Sequence, residues 1–241
     1  MNLCIDQGNS ALKLGVFDRE TLIHEDQKAS IEPGFILQLI QQFRVRNCMV
    51  SSTAPVPDFV FNEIERSGAG CMQLTHTTAL PFTNAYKTPE TLGKDRIAAV
   101  AGAFALNPET DILVIDAGTA ITYDFLDARG VYHGGNIAPG LQMRARALHA
   151  FTHQLPLVEL TYTAKLLGDD TQSAINSGIL YGAVFEIDGY IERLLLNYPK
   201  LSVFLTGGSS IYFDGMLKNR TFAVKNLVLT GLNRILNFNV Q

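Results

Sequence analysis

The pattern of apolar and polar positions divides the chain into two series of elements. Residues 2–6 (Asn-Leu-Cys-Ile-Asp) form a short apolar run, the pattern of a buried strand, which leads into a Gly-Asn turn. Strands are predicted at 12–18 and 22–26, separated by a polar turn at 19–21. Pro33 then opens an amphipathic helix that runs to about Arg44, with Phe35, Ile36, Leu39, Ile40 and Phe43 at helical spacing. A strand at 48–51, a helix at 57–67 and a strand at 70–74 complete the first series.

The stretch 75–94 is polar and turn-rich, with Pro81, Pro89 and Gly93, and an Ala-rich helix follows from about Lys94 to Leu106, where Asn107-Pro108 ends it. The pattern restarts at Asp111. Strands are expected at 112–116, 121–127 and 131–135, with a turn at Gly118-Thr119. Helices are expected at about 140–151 and 171–198, then a strand at 201–206, Gly207-Gly208 opening a helix, and a closing helix at 226–238. The apolar stripe Ile175, Ile179, Val184, Ile187, Ile191 and Leu194 on the long helix reads as core or dimer packing.

Laid over each other, the two series form a weak internal repeat. Asp6-Gln-Gly-Asn-Ser-Ala matches Asp116-Ala-Gly-Thr-Ala-Ile, and each match is followed by a strand ending in Asp (Asp18 and Asp127) and by a further strand. A repeat of this length is a half-domain rather than a solenoid unit. The expected organisation is an α/β protein of two duplicated halves, 1–110 and 111–241.

Composition narrows the function classes. A length of 241 residues suits one large domain or two ordinary ones, and 47% hydrophobic residues supply a substantial core. A net charge of −4 and a pI near 5.7 leave no electrostatic footprint for nucleic acid. An anionic ligand must therefore be held by local donors. Cys4, Cys48 and Cys71 are scattered without CxxC spacing and read as small buried hydrophobes, not as a disulfide framework or zinc site. His76, His133, His149 and His153 lack ligand spacing. No apolar run reaches the ~20 residues that span a bilayer, and no leader pattern is present, so a cytoplasmic protein without membrane association is expected.

The two Asp-x-Gly turns carry the first candidate chemistry. A bound phosphate needs converging backbone amides, and glycine in a tight turn lets the chain approach. In the first turn Gly8 would allow that approach, Asn9 and Ser10 would add side-chain donors, and Lys13 would reach a phosphate oxygen. Asp6 ends a buried strand, where a carboxylate is costly unless it meets a cation or donors. Water-mediated Mg²⁺ suits it, because Mg²⁺ keeps several waters and takes one or two carboxylates. Asp116-Ala-Gly118-Thr119 repeats the arrangement, with Thr119 as hydroxyl donor. The competing reading of each turn is an ordinary hairpin closed by an Asx turn. Thr206-Gly207-Gly208, after a strand, offers flat backbone for an adenine or ribose. No G-x-x-x-x-G-K-[ST] motif occurs, which disfavours a P-loop kinase.

Between the halves, Gly93-Lys94-Asp95-Arg96 sets a carboxylate and a guanidinium side by side at a helix start. Phosphoryl transfer to an alcohol needs a base on the hydroxyl and cationic support for the phosphoryl oxygens. Asp95 suits the base, Gly93 leaves room for substrate, and Arg96 suits a bidentate grip on a carboxylate. The alternative is that Asp95 only favours the helix N-terminus and Arg96 is a solvated charge.

The glycine turns resemble those of the actin-like ATPase superfamily of sugar kinases, acetate kinases and chaperone ATPases. Asp6-x-Gly8-Asn9-Ser10-x-x-Lys13, Gly93-x-Asp95-Arg96, Asp116-x-Gly118-Thr119-Ala120, Gly134-Gly135-x-Ile137-x-Pro139-Gly140 and Thr206-Gly207-Gly208 occur in one order across nearly the whole chain. That series is similar to type III pantothenate kinases. The resemblance implies two duplicated actin-like (ribonuclease H-like) half-domains with mixed sheets and an interdomain ATP cleft. It also implies ATP-dependent phosphorylation of pantothenate at its primary hydroxyl, the entry step to coenzyme A. It gives ATP to Asp6, Gln7, Gly8, Asn9, Ser10, Ala11, Leu12, Lys13, Gly118, Thr119, Gly207 and Gly208, with Mg²⁺ at Asp6 through water. It makes Asp95 the catalytic base, lines the pantothenate pocket with Gly93, Lys94, Asp95 and Arg96, and adds Tyr86 and Thr171 as substrate contacts. Asp116 is given to a monovalent cation, K⁺ or ammonium, and the family is dimeric with pantothenate near the subunit interface. Lys94, Thr88 and Gln7 depart from the residues common at those positions, and Lys94 beside Asp95 is expected to alter anion affinity. The rival readings are a nucleotide-binding regulator of transcription on the same scaffold and a related kinase or phosphatase with another substrate.

Overall fold

The computed structural model describes residues 1–8, 11–162 and 164–240. The chain falls into two compact units, one of Met1–Glu109, Arg129–His133 and Asn226–Gln241, the other of Thr110–Ala128 and Gly134–Lys225. The break after Glu109 adjoins the expected division at 110/111, but the C-terminal helix belongs to the first unit.

The first unit is built on a five-stranded sheet, β1 (Asn2–Gln7), β2 (Leu12–Asp18), β3 (Thr21–Lys28), β4 (Asn47–Ser52) and β5 (Gly70–Gln73), in the order β3-β2-β1-β4-β5. β1 pairs antiparallel with β2 and parallel with β4, so its run of buried residues is the signature of a central strand. Leu3, Ile5, Leu14, Val16, Cys48 and Val50 form one core face, covered by α1 (Phe35–Phe43) and α2 (Asp58–Ser67) through Ile36, Leu39, Ile40, Val60 and Ile64. The start of α1 has no side-chain cap of its own. Instead the buried Glu63 of α2 accepts hydrogen bonds from the amides of Gly34 and Leu37 (3.0 Å to the latter), so a carboxylate meets the positive end of the helix. Glu63 thereby ties two helices together.

Also in this unit are α3 (Lys94–Leu106) and α6 (Leu227–Asn239), both in contact with β4. α3 is buried over most of its surface because its middle is Ala98, Ala99, Ala101, Gly102 and Ala103. The two helix backbones touch. A Cβ on Gly231 would stand 1.7 Å from the Ala98 carbonyl oxygen, and one on Gly102 would stand 2.3 Å from that of Leu227. Asn233 of α6 is fully buried, accepting from Asn2 (2.9 Å) and donating to the Arg19 carbonyl (2.8 Å), which locks α6 to the sheet. The two-residue strand β6 (Thr83–Asn84) pairs with Val131 and Tyr132, also of this unit.

The second unit repeats the sheet plan. β7 (Ile112–Ala117), β8 (Ala120–Leu126), β9 (Val131–Pro139), β10 (Ser202–Thr206) and β11 (Phe222–Ala223) lie in the order β11-β10-β7-β8-β9, extended by β6 through the first residues of β9. β7 pairs antiparallel with β8 and parallel with β10, as β1 does with β2 and β4. The register repeats too: Asp6 stands opposite Ser51, and Asp116 opposite Thr206. α4 (Leu141–Ala150) and α5 (Thr171–Leu195) pack on this sheet, with Ile175, Ile179, Val184, Ile187 and Ile191 in the core. Core packing therefore accounts for these five positions, and the sixth, Leu194, packs partly buried against the same core.

Two expectations need correcting, and two short strands are additions to them. Cys4 and Cys48 are buried, with burial pushing the Cys48 thiol up to about 12, but Cys71 is exposed because β5 is an edge strand. Gly207-Gly208 opens only a short 3-10 turn, Ser210–Phe213, not a helix. β6 and β11, two residues each, carry no periodicity that a pattern search could register. Among the described residues no helix is long and apolar enough to cross a membrane.

The α3–α6 contact gives the first test. Gly231→Ala is expected to cost about 3 kcal/mol, because the new methyl would meet backbone rather than a movable side chain. Urea unfolding of the variant against wild type measures it.

Candidate active site

The first turn joins β1 to β2 and is closed by the Gly8 amide donating to the Ala11 carbonyl (3.0 Å). The second joins β7 to β8 and is closed in the same sense, Gly118 to Ala120 (3.0 Å). Both glycine amides are thus spent inside the turn, so what the glycines leave is space. Among the described residues, a Cβ on Gly8 would have only the Ala11 oxygen as neighbour, at 3.5 Å, and one on Gly118 would come no closer than 3.6 Å to Ala120 or Asp116. Among the described residues, packing requires glycine at neither position.

Asp6 is buried at the end of β1, and its register partners are Lys13 on β2 and Ser51 on β4. Ser51 is fully buried and its hydroxyl has no hydrogen-bond partner among the described residues. β4 continues past it with Thr53, whose amide donates to the Gln7 carbonyl (3.0 Å). Gln7 binds the Gly8 carbonyl (3.0 Å), Ala11 is half-buried and Leu12 is core. Asn9 and Ser10 lie outside the described residues. An all-oxygen set of one carboxylate and a serine hydroxyl fits a hydrated Mg²⁺.

Asp95 and Arg96 stand in the first turn of α3. One Asp95 oxygen accepts from the Arg96 amide (2.9 Å), and the other makes no hydrogen bond to a described residue. The carboxylate therefore serves the helix N-terminus and still presents an oxygen. Arg96 is buried, with its guanidinium 5.8 Å from the centre of the Tyr86 ring, so it is not a solvated charge. Tyr86 in turn lies 6.3 Å from the Tyr132 ring. Gly93 brackets this corner: a Cβ there would meet Asp95 Oδ1 at 2.6 Å and Arg96 Cδ at 3.4 Å. Lys94 Nζ lies 3.5 Å from the Ser52 carbonyl.

In the second unit, Asp116 is half-buried at the end of β7 and is covered by Gly207. Gly207 has φ of 94°, and a Cβ on it would lie 2.4 Å from Asp116 Oδ1. Glycine is mandatory there, for backbone conformation and for contact with the carboxylate. Ser209 donates to the Ala117 carbonyl (2.8 Å) and Gly140 to that of Thr119 (3.2 Å), so both neighbouring loops are fastened to the turn. Arg144 holds the end of β9 by donating to the Pro139 carbonyl (2.8 Å) and pairs with Glu186 (2.7 Å). Glu186 also accepts from Tyr123, whose hydroxyl burial and that carboxylate push above the usual range. Thr119 and Gly208 are exposed. Thr171 is the exposed first residue of α5, behind the Asp170–Ser173 capping box. Among the described residues no group of three or more His, Cys, Asp or Glu side chains gathers as a metal cage.

Comparison with known proteins decides the lineage. Residues 2–193 match the family described as type III pantothenate kinase. The chain belongs to the type III pantothenate kinase family. It is 45% identical over 239 residues to the type III pantothenate kinase of Phocaeicola vulgatus, covering 99% of each chain. Identity is also 45% to that of Bacteroides fragilis strain YCH46, covering 99% of this chain and 98% of the relative, and 41% to that of Porphyromonas gingivalis strain W83, covering 99% of each. Among solved structures, a protein named for the Baf family of transcriptional activators from Campylobacter jejuni superposes with a TM-score of 0.60 at 19% identity, covering 98% of each chain. A ROK hexokinase from Thermus thermophilus gives 0.52 at 13% identity, covering 99% of each. These structural likenesses establish the actin-like α/β fold and nothing about activity. Ser51, in register with Asp6, and Ser52, whose carbonyl Lys94 approaches, are neighbours of the candidate site that motif reading missed. The polar Ser-Ser-Thr that ends the apolar run of β4 was their signal, because ligands of open α/β sheets sit outside the carboxyl ends of parallel strands.

The glycine turns give the second test. Gly8→Ala and Gly118→Ala should change stability by no more than about 0.5 kcal/mol. Each should nevertheless weaken MgADP at least about tenfold. Urea unfolding and calorimetric titration of the same preparations separate the two effects.

Proposed function

We propose that the protein transfers the terminal phosphoryl group of ATP to the primary hydroxyl of pantothenate, forming 4'-phosphopantothenate at the start of coenzyme A biosynthesis. Membership of the type III pantothenate kinase family along nearly the full chain carries this reading. The α3 corner supports it with a base and a carboxylate-binding guanidinium on consecutive residues.

In this mechanism Asp95 accepts the proton of the attacking hydroxyl through the oxygen it does not spend on the Arg96 amide. Arg96, its guanidinium over the Tyr86 ring, binds the pantothenate carboxylate, and Gly93 and Thr171 complete the acceptor contacts. The turn from Asp6 to Lys13 takes ATP phosphates, as do Gly118 and Thr119, and Gly207-Gly208 face the nucleoside. Asp6 would hold Mg²⁺ through water, and that cation would supply charge neutralisation on the phosphates. Asp116 holds a monovalent cation, K⁺ or ammonium. Catalysis then comes from positioning and electrostatics around an in-line displacement. Its use of ATP fits a cytoplasmic enzyme.

The working form is proposed to be a homodimer. On α5, Gly178, Gly182, Phe185 and Gly189 share one face at helical spacing. Phe185 is 56% exposed, and a Cβ on Gly178 or Gly189 would meet nothing within 4 Å. Phe151 and Leu167 of the same unit are 88% and 81% exposed, which is costly unless a second copy covers them.

A coupled assay of pantothenate against a panel of sugars and other alcohols, with and without K⁺, tests the function. Turnover confined to pantothenate and raised by K⁺ is expected; turnover of another acceptor alone contradicts it. Asp95→Asn should lower kcat at least about 100-fold while MgADP affinity stays within about twofold. Unchanged turnover removes Asp95 from the chemistry. Phe185→Glu should halve the mass found by analytical ultracentrifugation, and a monomeric wild type refutes the dimer.

A further inference from the structure

Lys94 is the first residue of α3, where the positive end of the helix makes a cation unfavourable. Lys94 lines a cavity of about 310 Å³ together with Leu74, Leu92, Ile97, His76 and Glu90. Its ammonium has one hydrogen-bond contact among the described residues, the Ser52 carbonyl at 3.5 Å. That length is beyond the usual range for an N–H···O bond, so this contact does not repay the charge. The ammonium is thus held near an end of β4 that already has two other unusual features. Ser51 is fully buried with an unpartnered hydroxyl, and it stands in register with Asp6 at the entry to the first turn. Lys13 stands in register with Asp6 from the other side, on β2. One lysine therefore pairs in register with Asp6 on β2, and a second reaches the end of β4, the strand on the other side of β1.

Charge decides what this arrangement fits. The nearby carboxylates are Asp95 beside Lys94 in sequence and Glu90 across the cavity, and neither forms an ion pair with Lys94. A carboxylate partner for Lys94 is therefore absent among the described residues, and an incoming anion next to Ser51 and the Asp6 turn would supply one. We propose that Lys94 is a second lysine of the phosphoryl-transfer site, binding an oxygen of the ATP phosphates opposite Lys13. This rests on the phosphotransferase reading and adds a role to it: Lys94 grips the donor, while Arg96 grips the acceptor. The Ser51 hydroxyl is the adjacent donor to the same anion.

Calorimetric titration of MgADP and MgATPγS, together with steady-state kinetics, tests the assignment on Lys94→Ala and Lys94→Arg. Lys94→Ala should weaken MgATPγS about tenfold, the loss of one charge-assisted contact, and should raise KM for ATP while KM for pantothenate moves less than twofold. Lys94→Arg should recover most of the affinity. The melting temperature of Lys94→Ala should stay level or rise, because an unfavourable helix-end charge is removed. Nucleotide affinity within twofold of wild type in Lys94→Ala overturns the proposal. So does a change confined to KM for pantothenate, which would put Lys94 on the acceptor. A wild type that binds nucleotide but leaves pantothenate unphosphorylated refutes the acceptor reading, and the titrations still decide Lys94. A wild type that binds no nucleotide overturns both.

Discussion

The first unit depends on two helices whose backbones touch. Gly102 and Gly231 remove the side chains that would hold α3 and α6 apart, and the Ala98 carbonyl fills the space where a Gly231 methyl would be. This contact fixes α3, and α3 begins with Lys94, Asp95 and Arg96. The C-terminal helix thus positions a corner that lies more than a hundred residues earlier in the chain. A base must be held to within a fraction of an ångström to be useful, and rigid backbone packing supplies that better than a loop. Asn233, buried between Asn2 and Arg19, fastens the same helix to the sheet from the other side.

The second organising constraint is a carboxylate at the end of the central strand of each sheet. Asp6 and Asp116 occupy equivalent places, each beside a hydroxyl residue on the parallel neighbour, Ser51 and Thr206. The recurrence follows the repeated Asp-x-Gly turn of the sequence. The surroundings have since diverged. Asp6 has Lys13 and Ser51 in register, with Lys94 reaching the next residue of β4. Asp116 is covered by Gly207, whose left-handed backbone only glycine adopts easily. The proposed roles follow that difference, phosphate with a hydrated divalent ion at the first turn and phosphate with a monovalent one at the second.

Much of this was legible in the sequence because its physical causes are local. Apolar runs marked β1, β4, β7 and β10, helical spacing marked α1 and α5, and the Asp-x-Gly repeat marked the hairpin turns. What escaped has non-local causes. The return of α6 to the first unit depends on the fit of Gly231 against Ala98, which no periodicity encodes. Arg96 could be read as solvated because its burial, with the Tyr86 ring of a separate segment beside it, is a tertiary property. Ser51 carries no motif, and it matters only because the parallel register sets it against Asp6. The exposed Cys71 was misjudged for the same reason: its edge position follows from sheet order, not from its neighbours in sequence.

The central claim is that the α3 corner receives the acceptor hydroxyl while the Asp6 turn holds the phosphates. A crystal structure of the protein with a non-hydrolysable ATP analogue, Mg²⁺ and pantothenate measures this directly. The predicted result is the primary hydroxyl of pantothenate at hydrogen-bond distance, about 3 Å, from Asp95, with its carboxylate on Arg96 and the phosphates against Gly8 and Lys13. Pantothenate ordered away from Asp95, or phosphates bound elsewhere than the Asp6 turn, would contradict it.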